Sequence, residues 1–429
     1  MDLLARATAV VGGVMVALRK SSAPRTAAFG SAPEIPAARD QGALMTLKMP
    51  VAHGWRDGRL PVAAPGLAVN AFVRDLDHPR WVEVLPNGDV LVAEALQEPS
   101  SAPEGIIDRA RHATMRRAGA IGRSANRITL CRDPNGDGVA EDCRPFLENQ
   151  RQPFGMALVG DTFYVGNTDG IVAFDYQPDG ITGAGQRIVD FKPGGHWTRS
   201  LLASPDGRRL YCGVGSQSNI GEDGMEAEEG RAAIWEVDLA TGAARIFAGG
   251  LRNPVGLAWE PGSGSLWTVV NERDGLGDET PPDYLTSVRD GGFYGWPYSY
   301  WGGTVDDRVP QDPALVAQAI APDYALGGHT ASLGLCWMPA GTLPGFPEGM
   351  VIGQHGSWNR STLSGYKLIF VPFADGRPSG PARDILTGFL SEDEKLAYGR
   401  PVGVTIGPGG RSLLMADDVG NVVWRVTGA

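Results

Sequence analysis

Short apolar runs alternate with dense polar turns along this chain, and they do so in one recurring phrase. An apolar strand-like run, a Pro/Asp/Gly turn and a second apolar run appear at Trp81–Ala93 and again at Phe154–Gly166. The phrase returns at Ser200–Cys212, Val255–Trp267, Leu333–Pro339 and Val402–Leu414. Asn-Gly, Asp-Gly and similar pairs between alternating apolar residues are a strong hairpin signal. Six copies, each with room for four strands, predict an all-β fold, a six-bladed β-propeller whose blades carry insertions.

Two stretches depart from the phrase. From Ser21 to about Gly66 the chain is rich in Pro, Ala and Gly without periodicity and reads as an arm. Pro103 to Arg127 has helical spacing of Ile106, Ile107, Ala110, Ala113 and Ile121, interleaved with arginines, and reads as a helical insertion. Its basic face is either solvated or a docking surface for an acidic electron acceptor or an anionic membrane. The expected division is a signal-like or anchor segment at 1–20, an arm at 21–65 and a propeller at 66–429. A strand around Leu67 to Phe72 should close the last blade, because an open sheet edge invites aggregation.

Composition narrows the class. A formal charge of -11 argues against nucleic acid, whose binding needs a basic surface. An anionic ligand then requires locally concentrated cations. Ala7 to Leu18 is apolar, too short to span a bilayer and of a length that suits a signal-peptide core, so export, to the periplasm for instance, or an uncleaved anchor is expected. Of the four cysteines, Cys131 and Cys143 bracket a turn that sets them opposite each other, a site for one hairpin disulfide if the protein is exported. Cys212 and Cys336 lie in apolar runs and read as buried.

Candidate chemistry gathers in Gly-rich loops beside strands, where a rigid scaffold positions polar groups. His196 lies in Gly-Gly-His-Trp-Thr-Arg, His329 in Gly-Gly-His-Thr and His355 in Gly-Gln-His-Gly-Ser-Trp-Asn-Arg360. His53, His78 and His112 have no chemical neighbour in sequence. No close helical pair of ligands such as His-Glu-x-x-His occurs, which disfavours zinc. Asp274-Gly-Leu-Gly-Asp278-Glu279 and Asp133-Pro-Asn135-Gly-Asp137-Gly-Val-Ala-Glu141 offer oxygen ligands suited to Ca²⁺, although Arg144 stands where an EF-hand needs a bidentate Glu. No Gly-x-Gly-x-x-Gly follows a strand and opens a helix, so a nicotinamide or flavin Rossmann site is not indicated.

From Pro65 onward, and most strongly over His196–Pro297 and His329–Arg425, the sequence resembles the soluble PQQ-dependent glucose/sorbosone dehydrogenases. Gly-Ser-Trp-Asn-Arg and Gly-Gly-Phe-Tyr-Gly-Trp-Pro look more like the sorbosone-type branch. The resemblance implies a quinone cofactor, pyrroloquinoline quinone (PQQ), with Ca²⁺, in an enzyme that oxidises a sugar or a sugar-derived aldehyde. It implies His196 as general base and the pair Arg252-Asn253 at the quinone carbonyl. Backbone carbonyls aligned with Arg273, Asp274 and Gly275 would hold Ca²⁺, and Arg400 a cofactor carboxylate. His329 aligns with a cofactor-contacting threonine, and a cofactor lysine falls between His355 and Arg360. A second family arginine is Tyr398 here, which puts glucose specificity in doubt. The rival readings are a calcium-dependent sugar lactonase on the same fold and a propeller used only for binding.

Overall fold

The computed structural model describes residues 28–39, 41, 46–99, 105–177 and 180–429. The signal-like segment expected at 1–20 lies outside them, as does the start of the arm.

Six four-stranded antiparallel units form the body. Five of the recurring phrases supply the first two strands of a blade, and Leu333–Pro339 supplies the first strand of another, whose second strand is Gly349–Gln354. In order, the phrases open at Pro79–Val84, Met156–Val159, Leu201–Ala203, Pro254–Glu260, Ser332–Met338 and Pro401–Ile406. These innermost strands touch one another around a closed ring. Blade 6 takes its outer strand from the other end of the chain: Leu67–Val73 pairs antiparallel with Val422–Gly428, with Leu67 opposite Gly428 and Val73 opposite Val423. The strand expected to close the propeller does so.

Glycines make the ring tight. A Cβ on Gly334 would lie 2.0 Å from the Val402 carbonyl oxygen, and one on Gly256 would lie 2.5 Å from Leu335 Cβ. A Cβ on Gly403 would come within 2.8 Å of the Arg80 carbonyl oxygen. The apolar-Gly-apolar triplet of the repeated phrase is therefore a close-approach device. Between the blades, fully buried side chains such as Trp267, Trp424, Phe154 and Phe370 fill the core.

The remaining elements decorate this ring. The expected helix is observed at Gly105–Arg117, inserted between the second and third strands of blade 1. The arm adds Phe29–Gly30 to the edge of blade 4 and Val62–Ala63 to the edge of blade 5. Cys131 and Cys143 stand opposite each other in the hairpin register of blade 1 as free thiols. Asp133, Asp137 and Glu141 cluster in that same hairpin turn. Asp133 already accepts from the backbone N–H groups of Gly136 and Gly138, each at 2.7 Å, so the turn is satisfied internally. Among the described residues no helix is long and apolar enough to cross a membrane.

Gly334→Ala should destabilise the fold by at least about 2 kcal/mol, because the added methyl displaces backbone rather than a flexible side chain. A denaturant midpoint equal to that of the wild type would show that the ring is looser than described.

Candidate active site

In an antiparallel blade, the loops joining strands 2 and 3 leave the sheet at the same end as those joining strand 4 to the next blade. Every residue that the resemblance assigns to the site lies in one of these two loop classes, whereas Asp133, Asp137 and Glu141, in a strand 3–4 turn, lie at the other end. His196, Arg252, His329 and Arg400 precede innermost strands, while Asp274 and His355 follow second strands. Ring closure therefore delivers them to one face, around the axis.

The loop of His196 is built by its own motif. Gly194 and Gly195 have φ of 103° and 54°, and a Cβ on Gly195 would sit 2.5 Å from Gln217 Cα. Only glycine fits there. Arg199, fully buried, folds back so that its Nη1 donates to the carbonyls of His196 and Thr198, each at 2.8 Å. Arg231 holds the same loop from the other side through the Gly215 and Gly194 carbonyls, at 2.9 and 2.5 Å.

His196 Nδ1 lies 2.9 Å from the Ser216 carbonyl oxygen and 3.1 Å from Ser216 Oγ, whose own hydrogen goes to the Ser218 carbonyl at 2.7 Å. Both partners can only accept, so the neutral ring carries its proton on Nδ1 and leaves a lone pair on Nε2. Burial, reinforced by the Arg252 cation and partly offset by the Ser216 carbonyl and Asp274, pushes this imidazole down to about 3. A neutral histidine with a free Nε2 is the form a general base requires.

Arg252 is buried and its donors are fixed. Nε meets the Asn219 carbonyl at 3.2 Å, Nη2 meets Asn219 Oδ1 at 3.0 Å and Nη1 meets the Glu272 carbonyl at 2.7 Å. Its neighbour Asn253 has a buried Oδ1 with no partner. A Cβ on Gly215 would touch both that oxygen and His196 Cβ, so the two side chains are adjacent.

Asn219 is the residue that sequence reading missed most plainly. Its Oδ1 also accepts from Asp274 N at 2.8 Å, and its Nδ2 donates to the Asp274 carbonyl at 3.2 Å. One side-chain amide thus fastens the 273–275 loop and orients Arg252. Behind it, buried Glu228 accepts from Gln217 N, Ser218 N and Ser218 Oγ at 2.7, 2.8 and 2.6 Å, which fixes the whole 216–219 segment.

The three Gly-flanked histidines differ in state. His329 Nε2 lies 2.8 Å from the Gly277 carbonyl and Nδ1 3.3 Å from Asp274 Oδ1. Burial opposes its protonation, but the bond to the Asp274 carboxylate outweighs this and raises its pKa. Asn359 Nδ2 bonds the same carboxylate. His355 Nε2 donates to Asp418 Oδ2 at 2.8 Å. Asp418 also binds the Arg80 guanidinium and lies 3.3 Å from His78 Nε2. Burial alone would raise the Asp418 carboxyl; His355, His78 and Arg80 hold it well below its usual range instead. His78, Arg80 and Asp418 thus belong to the site, although His78 looked isolated in sequence.

Arg400 Nη2 donates to Tyr366 OH at 2.7 Å, and its backbone N–H donates to Asp417 Oδ1 at 2.8 Å. Buried Nε atoms of Arg400 and Arg80 have no partner. Arg80 lies over the Trp197 ring at 5.3 Å, and this joins its cluster to the His196 loop. Arg360 and Arg273 are committed elsewhere. Arg360 Nη1 donates to the Gly328 carbonyl at 2.8 Å and its Nη2 pairs with Glu279, while Arg273 pairs with Asp306 at 3.1 Å. The Gly275 carbonyl accepts from Gln41 of the arm at 3.0 Å.

The result is a set of polar side chains around the axis, with Arg80, Arg252, Arg400 and His329 set among Asp274, Asp417 and Asp418. Fold and site together define a propeller whose axial face buries several guanidiniums and presents a neutral histidine, on a protein of net charge -11. Sequence comparison gives the family: the chain belongs to the TrAA12-like family, whose model matches residues 120–282 and 305–428. It is 30% identical over 238 residues to an uncharacterized protein of Borreliella burgdorferi, covering 54% of this chain and 60% of that one. It is 25% identical over 317 residues to a PQQ-dependent pyranose dehydrogenase of Coprinopsis cinerea, covering 59% of this chain but 43% of that one. The chain thus spans well under two thirds of both relatives. Among solved structures, family AA12 of Trichoderma reesei matches with a TM-score of 0.69 at 20% identity, over 90% of this chain and 99% of that one. The holo PQQ domain of the Coprinopsis cinerea enzyme matches with a TM-score of 0.69 at 21% identity, over 87% and 98%.

Asn219→Ala should free Arg252 and the 273–275 loop together, and calorimetric melting should show a loss of about 1–3 kcal/mol for the unsatisfied buried partners. Because folded His196 resists protonation and the unfolded ring does not, unfolding takes up a proton below pH 6.5. Its contribution to stability is therefore complete above 6.5 and declines as the pH falls toward about 3. His196→Gln should flatten that part of the pH–stability curve, as read from urea midpoints across the range.

Proposed function

We propose that this chain is a PQQ- and Ca²⁺-dependent oxidoreductase that oxidises a sugar or a sugar-derived aldehyde of the aldose or sorbosone type. The observation that carries the reading is the pairing of a neutral, Nε2-free His196 with the buried guanidiniums of Arg80, Arg252 and Arg400 on one axial face. Family membership and the names of the relatives, PQQ-dependent pyranose and sugar dehydrogenases, support it. A solved relative described as a calcium structure supports the metal.

The residues fit a tricarboxylate. Unpartnered Nε atoms on buried Arg80 and Arg400 are donors in need of an acceptor, and guanidiniums in a dry site favour carboxylates strongly. The unpartnered Asn253 Oδ1 and the Arg252 guanidinium lie beside His196, where the quinone end would rest. Carbonyls of the Arg273–Gly275 loop, braced by Asn219, would hold Ca²⁺. When bound, PQQ supplies a carbonyl that accepts hydride, sharpened by the metal as a Lewis acid.

The chain's own work is proton transfer and orientation. His196 Nε2 removes the substrate hydroxyl proton as hydride leaves the carbon, and the Ser216 acceptors keep the ring from turning. Arg252, held by Asn219, would stabilise negative charge on the oxygen of a bound quinone. Asp274 and Asp418 already face cations, so no observation favours the lactonase reading. Export or an N-terminal anchor, and an external electron acceptor, complete the proposal.

Titration of the protein with PQQ and Ca²⁺ should perturb the cofactor absorbance and support dye reduction by aldoses, sorbosone or simple aldehydes. His196→Gln should keep cofactor affinity and lower kcat by about 10²–10⁴-fold. Arg400→Ala should act mainly on cofactor affinity. Full turnover by His196→Gln would sink the assignment of the base. Since His196 stays neutral in the folded protein, kcat/KM should not fall as the pH passes down through 6.5.

A further inference from the structure

The helix at Gly105–Arg117 and the turn after it have no role in the site, yet they border it. The insertion leaves blade 1 between strands 2 and 3, the loop class that carries Asp274 and His355, so it stands on the same face. A Cβ on Gly119 would lie 3.4 Å from Val419 Cγ2 and 3.2 Å from Ala52 Cβ. Val419 follows Asp418, which binds Arg80 and His355 in the axial wall.

Arg109, Arg111, Arg116, Arg117 and Arg123 are all exposed here, and among the described residues none meets a carboxylate. Arg116 and Arg117 complement the helix dipole at its last turn, but Arg109 near the first turn works against it. Helix stability alone does not call for this composition. Several arginines elsewhere are paired, Arg132 with Asp89, Arg187 with Asp169 and Arg245 with Asp290, whereas five unpaired ones gather on this one segment. On a protein of net charge -11, an unpaired basic cluster beside the site is a local inversion of the surface field.

We propose that this surface docks an acidic one-electron carrier protein that reoxidises the enzyme. The proposal rests on the dehydrogenase reading above. Oxidation of one hydroxyl-bearing carbon to a carbonyl removes two electrons and two protons. Two carriers must each accept one electron per turnover, and both protons pass to solvent. A basic patch beside the axial mouth raises the encounter rate of an acidic carrier and orients it toward the redox centre.

The test compares acceptors of opposite charge with the PQQ- and Ca²⁺-loaded enzyme and saturating sugar. Plastocyanin serves as the acidic copper protein, cytochrome c as the basic haem protein and a cationic phenazinium dye as the small acceptor. The variant carries Arg109→Glu, Arg111→Glu, Arg116→Glu and Arg117→Glu. It should reduce plastocyanin at least about tenfold more slowly at low ionic strength and cytochrome c faster, with dye turnover unchanged. The wild-type plastocyanin rate should fall steeply with added salt. Equal plastocyanin rates for variant and wild type, with dye turnover intact, would overturn the proposal. So would a variant that loses only binding to phosphatidylserine vesicles, since the patch would then be a membrane contact. Absence of dye turnover in the wild type under every sugar would instead strike the dehydrogenase reading. The dye rate also reports whether the variant folds.

Discussion

Closure of the ring by Leu67–Val73 against Val422–Gly428 is the constraint on which the site depends. His196 and Arg400 are separated by 203 intervening positions, and no local element connects them. Antiparallel pairing of the two chain ends fixes blade 6 beside blade 1, and only then does Asp418 meet His78 and Arg80. Backbone hydrogen bonds in a dry interior tolerate little slack, because each unpaired group costs about 1–3 kcal/mol. Register at the closure is therefore transmitted to the site as geometry, and glycines such as Gly334 and Gly403 let adjacent inner strands approach closely enough for neighbouring loops to touch.

The fold was legible because its signal is local and repeated. Each Pro/Asp/Gly turn between apolar runs states one hairpin, and six of them state the blade count. The helical insertion was equally legible, its spacing at Ile106, Ala110 and Ala113 giving a helix that runs Gly105–Arg117. The site was legible only where a motif explains itself. Gly-Gly-His-Trp-Thr-Arg is such a case: the glycines make room against Gln217, and Arg199 returns to cap the His196 carbonyl. Asn219, Ser216 and Glu228 carry no motif. Their importance comes from which loops closure sets side by side, and that is a long-range fact. His78 illustrates the same limit, since its partner Asp418 lies 340 positions away.

Electrostatics tie these parts together. Buried guanidiniums at Arg199 and Arg231 donate to backbone carbonyls rather than to carboxylates. A cation in low dielectric acts over a longer range than one in water. Burial keeps His196 neutral, and the Arg252 cation beside it adds to the effect. Base strength is thus coupled to the neighbouring guanidinium, and substituting Arg252 will move it.

That coupling explains why an acidic protein can host such a site. Outside the axis, some exposed arginines are neutralised by neighbours, as Arg245 is by Glu236 and Asp290. Guanidinium charge gathers in two places: at the axis, where burial protects it from solvent and salt, and on the 105–123 insertion, whose exposed arginines meet no carboxylate among the described residues. The first is weakly screened and suits a tightly held ligand. The second is fully screened beyond about 10 Å at 0.1 M salt and suits a partner that must arrive and leave quickly. The proposed oxidoreductase would need both behaviours on one face, and two differently solvated cation clusters supply them without conflict.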